Sequence, residues 1–368
     1  MRNFLSPFVA ALAALSIVSA QPLEASELFK RGNISPIMKG QNFPDPSIIR
    51  VKDGWHAFAT NAKVNGKQIH VQMAHTSDFK TWTYRSGVDA MPKLAAWIDT
   101  ASPRVWAPSV TRLADGTFIM YYTAALKSKT NLHCVSYATS RNVDGPYTDP
   151  TGNSPWICPT AQGGAIDPSG YINRDGTRWV VYKIDGNAIG HGGVCGNTVK
   201  PIVPTPIMLQ QVQANDGHTK IGNTIRLISN DPADGPVVEA PNLAFLGGKY
   251  VLFFSSNCFA TPKYDVSYAT ASHIKGPYTK YGPLFVTGSE GMTAPGGLEL
   301  AVNGDHAIWH AYVDTSPSSS SSSSPSQCIS QRHGKHQADC NRNHGKGRAS
   351  FTGILSLSGN KVFAKSLS

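Results

Sequence analysis

Several features that would point to other classes of protein are missing from this chain. Beyond its first 20 residues there is no apolar run of the length that a membrane-spanning helix needs, roughly 20 residues. Its six cysteines include no C-x-x-C pair, which argues against zinc-ribbon and thiol-redox proteins. It has neither a glycine-rich phosphate loop nor a G-x-S-x-G motif, so kinases and serine hydrolases fit poorly.

Charged residues are also scarce, at 15% of the 368 positions, against roughly 25% in a typical soluble domain. The 34 glycines and 25 prolines suit a fold of many strands and turns better than one of long helices.

Half of the net charge of +10 comes from Arg2 and from the single segment 328–348, which contains five basic residues and one acidic residue. Because a nucleic-acid-binding fold would spread its basic residues over one face, we expect no nucleic-acid partner.

The N-terminus is typical of a secretory leader. Arg2 supplies the positive start, residues 4–18 are apolar, and Val18-Ser19-Ala20 has small residues at the cleavage positions. We therefore expect a signal peptide over residues 1–20 and a secreted, extracellular monomer that has no membrane partner after cleavage. A short membrane anchor is the alternative interpretation.

The cysteines suit the same oxidising compartment, and so does the glycosylation sequon Asn33-Ile34-Ser35. Six cysteines allow many pairings, and the sequence alone does not choose among them. Only Cys328 with Cys340 is predicted as a disulfide, because the two lie close together in one segment. The other four cysteines are Cys134, Cys158, Cys195 and Cys258.

One pattern recurs five times along the chain: a proline, a short strand-like run, a polar turn and an aromatic-rich run. The turns are Asp-Gly, Gly-Gly or Asn-Gly, which are strong hairpin signals. The repeats are 54 to 73 residues apart and begin at Pro46, Pro108, Pro168, Pro241 and Pro295.

The second halves of the repeats are alike as well. Ser136-Tyr137-Ala138-Thr139 followed by Gly145-Pro146-Tyr147 recurs as Ser267-Tyr268-Ala269-Thr270 followed by Gly276-Pro277-Tyr278. Each unit would supply about four strands. Five such units predict an all-β fold, a five-bladed β-propeller.

The domain organisation follows from the repeats. We predict a single propeller domain over residues 21–368, with a serine-rich, basic insertion at 316–348 in the fifth blade. The repeat would resume at Phe351. The alternative, an interdomain linker, is less favoured because too few residues follow it to form a second core.

The residues before the five prolines carry the chemistry. Backbone geometry before proline is restricted to extended conformations, so these positions should repeat one orientation around a mouth of the central channel. Glu239 lies one residue before such a position, and three acids would then converge. The five pre-proline residues are Asp45, Ala107, Asp167, Ala240 and Ala294.

Converging carboxyl groups repel, so their pKa values separate. Glycoside hydrolysis needs that separation, because one carboxyl group donates a proton while another acts as an ionised base. The alternative interpretation is that Asp-Pro pairs only begin strands or turns.

Four motifs together resemble glycoside hydrolase family 43, the five-bladed propellers of the arabinanase and xylosidase type. The resemblance spans about residues 35–368. The motifs are Phe43-Pro44-Asp45-Pro46-Ser47-Ile48-Ile49, Trp106-Ala107-Pro108-Ser109-Val110, Ala165-Ile166-Asp167-Pro168 and Glu239-Ala240-Pro241-Asn242-Leu243. The fourth reads Glu-Ala-Pro-Asn where Glu-Gly-Pro-His is common, which puts a subsite histidine in doubt.

The resemblance implies roles for three acids. Asp45 is the general base that activates water, Glu239 is the general acid, and Asp167 orients that acid and keeps it protonated. The family inverts the anomeric centre, which requires acid and base about 6.5–9.5 Å apart. Trp106 and Phe43 would line the sugar subsite, with packing in the blade core as the alternative for both.

The resemblance also implies that no cofactor is required. Some members hold a central hydrated ion, often calcium, near a histidine at the position of His310. A hydrogen-bonded histidine at a strand end is the alternative.

The resemblance thus implies a secreted, inverting glycoside hydrolase acting on arabinose-containing plant cell-wall polysaccharide. It would be an α-L-arabinofuranosidase or an endo-1,5-α-L-arabinanase. A β-xylosidase or a galactan-directed hydrolase is the alternative within the family. A non-catalytic carbohydrate-binding propeller is the alternative from another class, although such a protein would not need an acid–base pair.

Overall fold

The computed structural model describes residues 34–314 and 346–367, and almost all of the regular structure there is β-strand. Short 3-10 helices occur at Ile37–Gly40, Thr160–Gln162, Gly186–Ile189, Val194–Gly196 and Ser289–Gly291. No helix in this part of the chain is long and apolar enough to cross a bilayer. The strands are β1 Ser47–Val51, β2 Gly54–Ala59, β3 Ala62–Val64, β4 Lys67–Ile69, β5 Gln72–Thr76, β6 Thr83–Tyr84, β7 Trp106–Arg112, β8 Phe118–Ala125, β9 His133–Ser140, β10 Ala165–Ile172, β11 Arg178–Ile184, β12 Ile207–Val212, β13 Lys220–Ile228, β14 Val238–Leu246, β15 Lys249–Ser256, β16 Asp265–Ala271, β17 Thr279–Phe285, β18 Thr293–Leu300, β19 His306–Asp314, β20 Lys346–Ser358 and β21 Lys361–Leu367.

Five antiparallel sheets form the blades, which confirms the predicted five-bladed β-propeller. Blade one has the order β1-β2-β5-β6, blade two β7-β8-β9, blade three β10 to β13, blade four β14 to β17 and blade five β18 to β21. The small hairpin β3-β4 projects from blade one. Each central strand is covered by sheet on both faces, and β8 accordingly has eight buried residues in a row.

Blade two differs from the predicted four strands. Its outer edge is reduced to two isolated bridges, Thr139 with Thr148 and Val135 with Ile157. Pro150 lies between them and has no N–H to donate to a ladder, so a continuous fourth strand is interrupted there.

The inner hairpins of blades two and three share one turn. In Asp115-Gly116-Thr117 and again in Asp175-Gly176-Thr177, the threonine amide donates to the aspartate side chain at 2.9 Å. The glycine of each turn has a positive φ, 89° and 82° respectively, which glycine adopts without steric cost. The Asp-Gly pairs thus form hairpins as predicted.

The beginning of the described chain closes the ring of blades. Asn42 forms a bridge with Ala349 of β20, and the amide of Phe43 donates to the carbonyl of Arg348 at 2.8 Å. The Ser350 hydroxyl in turn donates to the Phe43 carbonyl at 2.7 Å. An N-terminal segment therefore pairs with a C-terminal strand.

The predicted insertion ends earlier than the sequence indicated. The strand β20 begins at Lys346, so Arg348 is a strand residue and the repeat resumes before Phe351. The rest of the insertion, with Cys328 and Cys340, lies outside the described residues, as do the leader and Asn33.

Two disulfides occur among the described cysteines. Cys134 pairs with Cys158 within blade two. Cys195 pairs with Cys258 and ties the long loop after β11 to the loop after β15.

The backbone before the five prolines is not extended, so that prediction was wrong. All five pre-proline residues have φ between 43° and 54°, the left-handed region that costs a residue other than glycine about 1–2 kcal/mol. Four of them lie at register shifts of the inner strands, in β7, β10, β14 and β18.

Side chains of neighbouring segments hold these bulges. Each pre-proline amide donates a hydrogen bond of 2.9–3.0 Å to a side chain, which offsets the cost of the conformation. The acceptors, in chain order, are His310 Nδ1, Thr60 Oγ1, Thr123 Oγ1, Asp167 Oδ2 and Thr287 Oγ1.

Candidate active site

The three predicted acids lie in one cleft of about 610 Å³, which is lined by residues from all five blades. Asp45, Asp167 and Glu239 enter it from blades one, three and four, as the repeat predicted. Asp45 and Asp167 are pre-proline residues and Glu239 immediately precedes another, so the repeat places all three where an inner strand begins.

Asp45 is held as a carboxylate. Arg348 donates from Nη1 to Oδ1 at 2.8 Å and from Nη2 to Oδ2 at 3.4 Å, and the Thr60 hydroxyl donates to Oδ2 at 2.6 Å. Burial raises the pKa of Asp45, but the charge of Arg348, with His310 and Thr60, outweighs it and holds the pKa below 3.8. An ionised carboxylate in this position can accept a proton from water.

Asp167 has the opposite character. Burial, followed by repulsion from Glu239, raises its pKa to about 8, against a smaller opposing effect of Lys183. The Ala240 amide donates to its Oδ2 at 2.9 Å. Asp167 is therefore a neutral acid at pH 7, within the same cleft as an ionised Asp45.

Glu239 has a partner on each carboxylate oxygen. The Tyr264 hydroxyl donates to Oε1 at 2.9 Å, and the Lys183 ammonium donates to Oε2 at 3.0 Å. Lys183 is completely buried and also lies 3.0 Å from Asp185. Its carboxylate neighbours keep the pKa of Lys183 above the usual value although burial lowers it. The carboxyl group of Glu239 is thus fixed in orientation.

Lys183 and Arg348 are site residues that sequence reasoning missed. Lys183 interrupts the apolar and aromatic run of β11 one residue before the strand ends, and that contrast was an available signal. Arg348 was counted among the basic residues of the insertion, so its place in a strand was hidden. Its guanidinium group lies 5.4 Å from the centre of the Phe259 ring, which also lines the cleft.

The two predicted aromatic residues have different positions. Trp106 lines the cleft and stacks on His133, with ring centres 3.9 Å apart. Phe43 is completely buried in the core of blade one, beside Ile48 and edge-on to Tyr84. The prediction that Phe43 lines a sugar subsite was wrong, because its ring packs in the blade core, whereas the next two residues, Pro44 and Asp45, line the cleft.

His310 is buried beside Asp45 and is bonded to its backbone. The Asp45 amide donates to Nδ1 at 3.0 Å, and burial, followed by the charge of Arg348, lowers the pKa of His310 to about 3. A neutral imidazole whose Nδ1 accepts must carry its proton on Nε2. An N–H group cannot ligate a cation or accept from a cation-bound water, so this arrangement does not fit a calcium ion held through Nε2.

A cleft that combines an ionised carboxylate, a neutral carboxyl group and a third, oriented carboxyl group is what acid–base cleavage of a glycosidic bond requires. A five-bladed propeller with this cleft is of the glycoside hydrolase class. The sequence matches the family model of glycosyl hydrolases family 43 over residues 34–333, and the chain belongs to that family.

Individual relatives agree with this assignment. The extracellular endo-α-(1→5)-L-arabinanase 1 of Bacillus subtilis (strain 168) is 24% identical over 327 residues, which cover 84% of this chain and 90% of that protein. A putative β-xylosidase of Escherichia coli (strain K12) is 29% identical over 152 residues, 40% of this chain and 26% of that protein. The crystal structure of a thermostable family-43 glycoside hydrolase matches with a TM-score of 0.67 and 19% identity, over 91% of this chain and 96% of that chain.

Proposed function

We propose that this protein is an inverting glycoside hydrolase that cleaves α-L-arabinofuranosyl bonds in arabinose-containing plant cell-wall polysaccharide. The observation that carries the proposal is the convergence of three carboxyl groups in one cleft, where Arg348 contacts Asp45 and Lys183 contacts Glu239. Asp45 is ionised beside Arg348, and Asp167 is neutral beside Glu239.

In the proposed reaction, the oxygen of a water molecule attacks the anomeric carbon while Asp45 takes a proton from that water. Glu239 receives the proton that Asp167 holds in the resting pair and gives it to the departing glycosidic oxygen, so the C–O bond breaks without expelling an alkoxide. Tyr264 and Lys183 hold Glu239 in position, and the neutral Asp167 retains a proton within the coupled pair. Trp106 offers its ring to the apolar face of a sugar.

The choice of arabinan rests on the Bacillus subtilis relative, which is named an extracellular endo-α-(1→5)-L-arabinanase and whose match covers most of both chains. Endo action and an exo-acting α-L-arabinofuranosidase both belong to the proposal. A β-xylosidase is the second candidate, because the shorter match to the Escherichia coli protein favours it.

The test is sugar release by the purified protein from linear arabinan, arabinoxylan, xylan and galactan. Arabinose alone supports exo action and arabino-oligosaccharides support endo action. Release of xylose or galactose would mean that the substrate is xylan or galactan instead of arabinan. Binding without release would favour the non-catalytic alternative. Asp45→Ala should abolish release, whereas Asp115→Ala, an exposed turn aspartate, should not. Proton NMR of the first product should show the β-anomer, since inversion of an α-bond produces it.

We also propose that the protein is secreted as a monomer after cleavage near residue 20. N-terminal sequencing of protein recovered from culture medium, with its mass in solution, tests both points. A retained leader or a dimeric mass would contradict the proposal.

A further inference from the structure

A second cluster of side chains lies away from the cleft, at the other end of blade one. Asp53 is in the turn that follows β1, whereas Asp45 precedes the same strand. His56 in β2 and His75 in β5 complete a group whose ligand atoms all lie within 4.8 Å of one another. The described contacts place none of the three in the cleft.

The two histidines are direct cross-strand partners, with ring centres 4.8 Å apart. The turn carries Asp53 over them: its Oδ1 lies 3.3 Å from His56 Nε2, and its Oδ2 lies 3.9 Å from His75 Nε2. Gly54 makes this approach possible, because a Cβ there would be 2.3 Å from the Thr76 carbonyl oxygen.

The other ring nitrogen of His56 has its own partner. Its Nδ1 lies 2.8 Å from Asp144 Oδ1, on the neighbouring blade, and Arg85 pairs with the second oxygen of Asp144. A carboxylate accepts only, so Nδ1 carries a proton. In neutral His56 the lone pair of Nε2 then faces the carboxylate of Asp53, an arrangement that needs a positive charge between them.

A metal cation satisfies that need with the observed spacing. Two atoms that ligate zinc at about 2.0–2.1 Å with tetrahedral geometry lie about 3.3–3.4 Å apart. The separation of His56 Nε2 and Asp53 Oδ1 is 3.3 Å. His75 Nε2 lies 3.3 Å from the Asp53 backbone carbonyl, and ligation requires that this hydrogen bond be released and that the ring, whose side chain is 26% exposed, turn toward the ion. The carboxylate on the far nitrogen of a ligating histidine is also a recurrent feature of zinc sites.

We propose that Asp53, His56 and His75 bind a divalent cation of the zinc type, with Asp144 as the carboxylate that orients His56. The fourth position is open to water. Such an ion ties the β1–β2 turn to β5 and, through Asp144, connects blade one with blade two. Its role is structural, so it stabilises the folded chain without changing the reaction.

Zinc chloride titration of the chelator-treated, untagged full chain tests this inference. The wild-type chain should bind one more zinc ion than the His75→Ala or Asp53→Asn variant. Zinc should raise the melting temperature of the wild type and leave that of the two variants unchanged. His273→Ala, an exposed histidine of blade four, should match wild type. Asp144→Asn should weaken binding by about 10- to 100-fold.

Equal zinc binding and equal melting shifts in wild type, His75→Ala and Asp53→Asn would overturn the site. The difference between variants is decisive because residues 315–345 contain three further histidines and two cysteines, and any zinc they bind is common to all variants. Circular dichroism of each variant shows whether it is folded. Loss of zinc without loss of fold supports the site.

Discussion

At the scale of single residues, two buried cationic side chains give the carboxyl groups of the cleft different electrostatic surroundings. Arg348 stabilises the charge on Asp45, and Lys183 holds Glu239. Burial alone would disfavour the charge of each cation, and neighbouring carboxylates offset this: Asp45 for Arg348, and Asp185 together with Glu239 for Lys183. The protonation states of the acids are therefore a property of these pairs.

The first prediction concerns the pH dependence of kcat/KM on arabinan. Asp45 must be ionised, which holds above its lowered pKa, and the Asp167–Glu239 pair must keep its proton, which holds below about 8. We expect activity to be constant from about pH 5 to 7 and to fall above about pH 8. A profile with no decline up to pH 10 would contradict the protonated pair.

The second prediction concerns Arg348→Met. Without the guanidinium group, burial should raise the pKa of Asp45, so the acidic limb of the kcat/KM profile should move to higher pH. Arg348→Lys should restore part of the change. Arg112→Met, which removes an exposed arginine of β7, should leave the limb where it is. An unmoved limb in Arg348→Met would mean that the pair does not set the protonation of Asp45.

At the scale of elements, the same bulge recurs near the start of four inner strands, where the chain approaches the cleft. The sequence predicted that the five pre-proline residues repeat one position around the channel mouth, because the prolines recur in phase with the blades, but it predicted no bulges there. It did not predict their left-handed backbone, because the local preference before proline is extended and the tertiary hydrogen bonds override it. The same local reasoning placed Phe43 in the cleft, although its ring packs in the blade core while its neighbours Asn42 and Pro44 line the cleft.

The third prediction tests the cost of one bulge. Ala107 has φ 43°, so Ala107→Gly should relieve strain and leave the free energy of unfolding unchanged or raised by up to about 1 kcal/mol. Ala138→Gly, in the buried centre of β9, should lower it by about 1–2 kcal/mol. Urea denaturation measures both. Equal losses in the two variants would show that the left-handed position carries no strain.

At the scale of the whole molecule, a ring of similar blades brings distant residues to one axis. Asp45 and Arg348 are 303 positions apart and form an ion pair. The periodicity predicted the blades and the meeting of Asp45, Asp167 and Glu239. It could not predict Lys183, whose direction into the cleft depends on the neighbouring strands, or Arg348, which follows a long insertion that interrupts the repeat. It also overlooked Pro150, which removes the outer strand of blade two.

The last prediction concerns the closure of the ring. Phe43 is fully buried where the N-terminal segment meets β20, so Phe43→Ala should lower the free energy of unfolding by about 3–5 kcal/mol. Because that segment joins the first blade to the fifth, we expect the whole propeller to lose stability in one shifted transition, with kcat/KM at 25 °C little changed. Urea unfolding followed by tryptophan fluorescence and by far-ultraviolet circular dichroism measures this. Phe363→Ala, on the outer strand of blade five, should cost about 1 kcal/mol or less, because its ring is only partly buried. If Phe43→Ala instead produced a separate transition at lower urea concentration, the N-terminal segment would unfold independently. The stability of the blades would then not depend on closure of the ring.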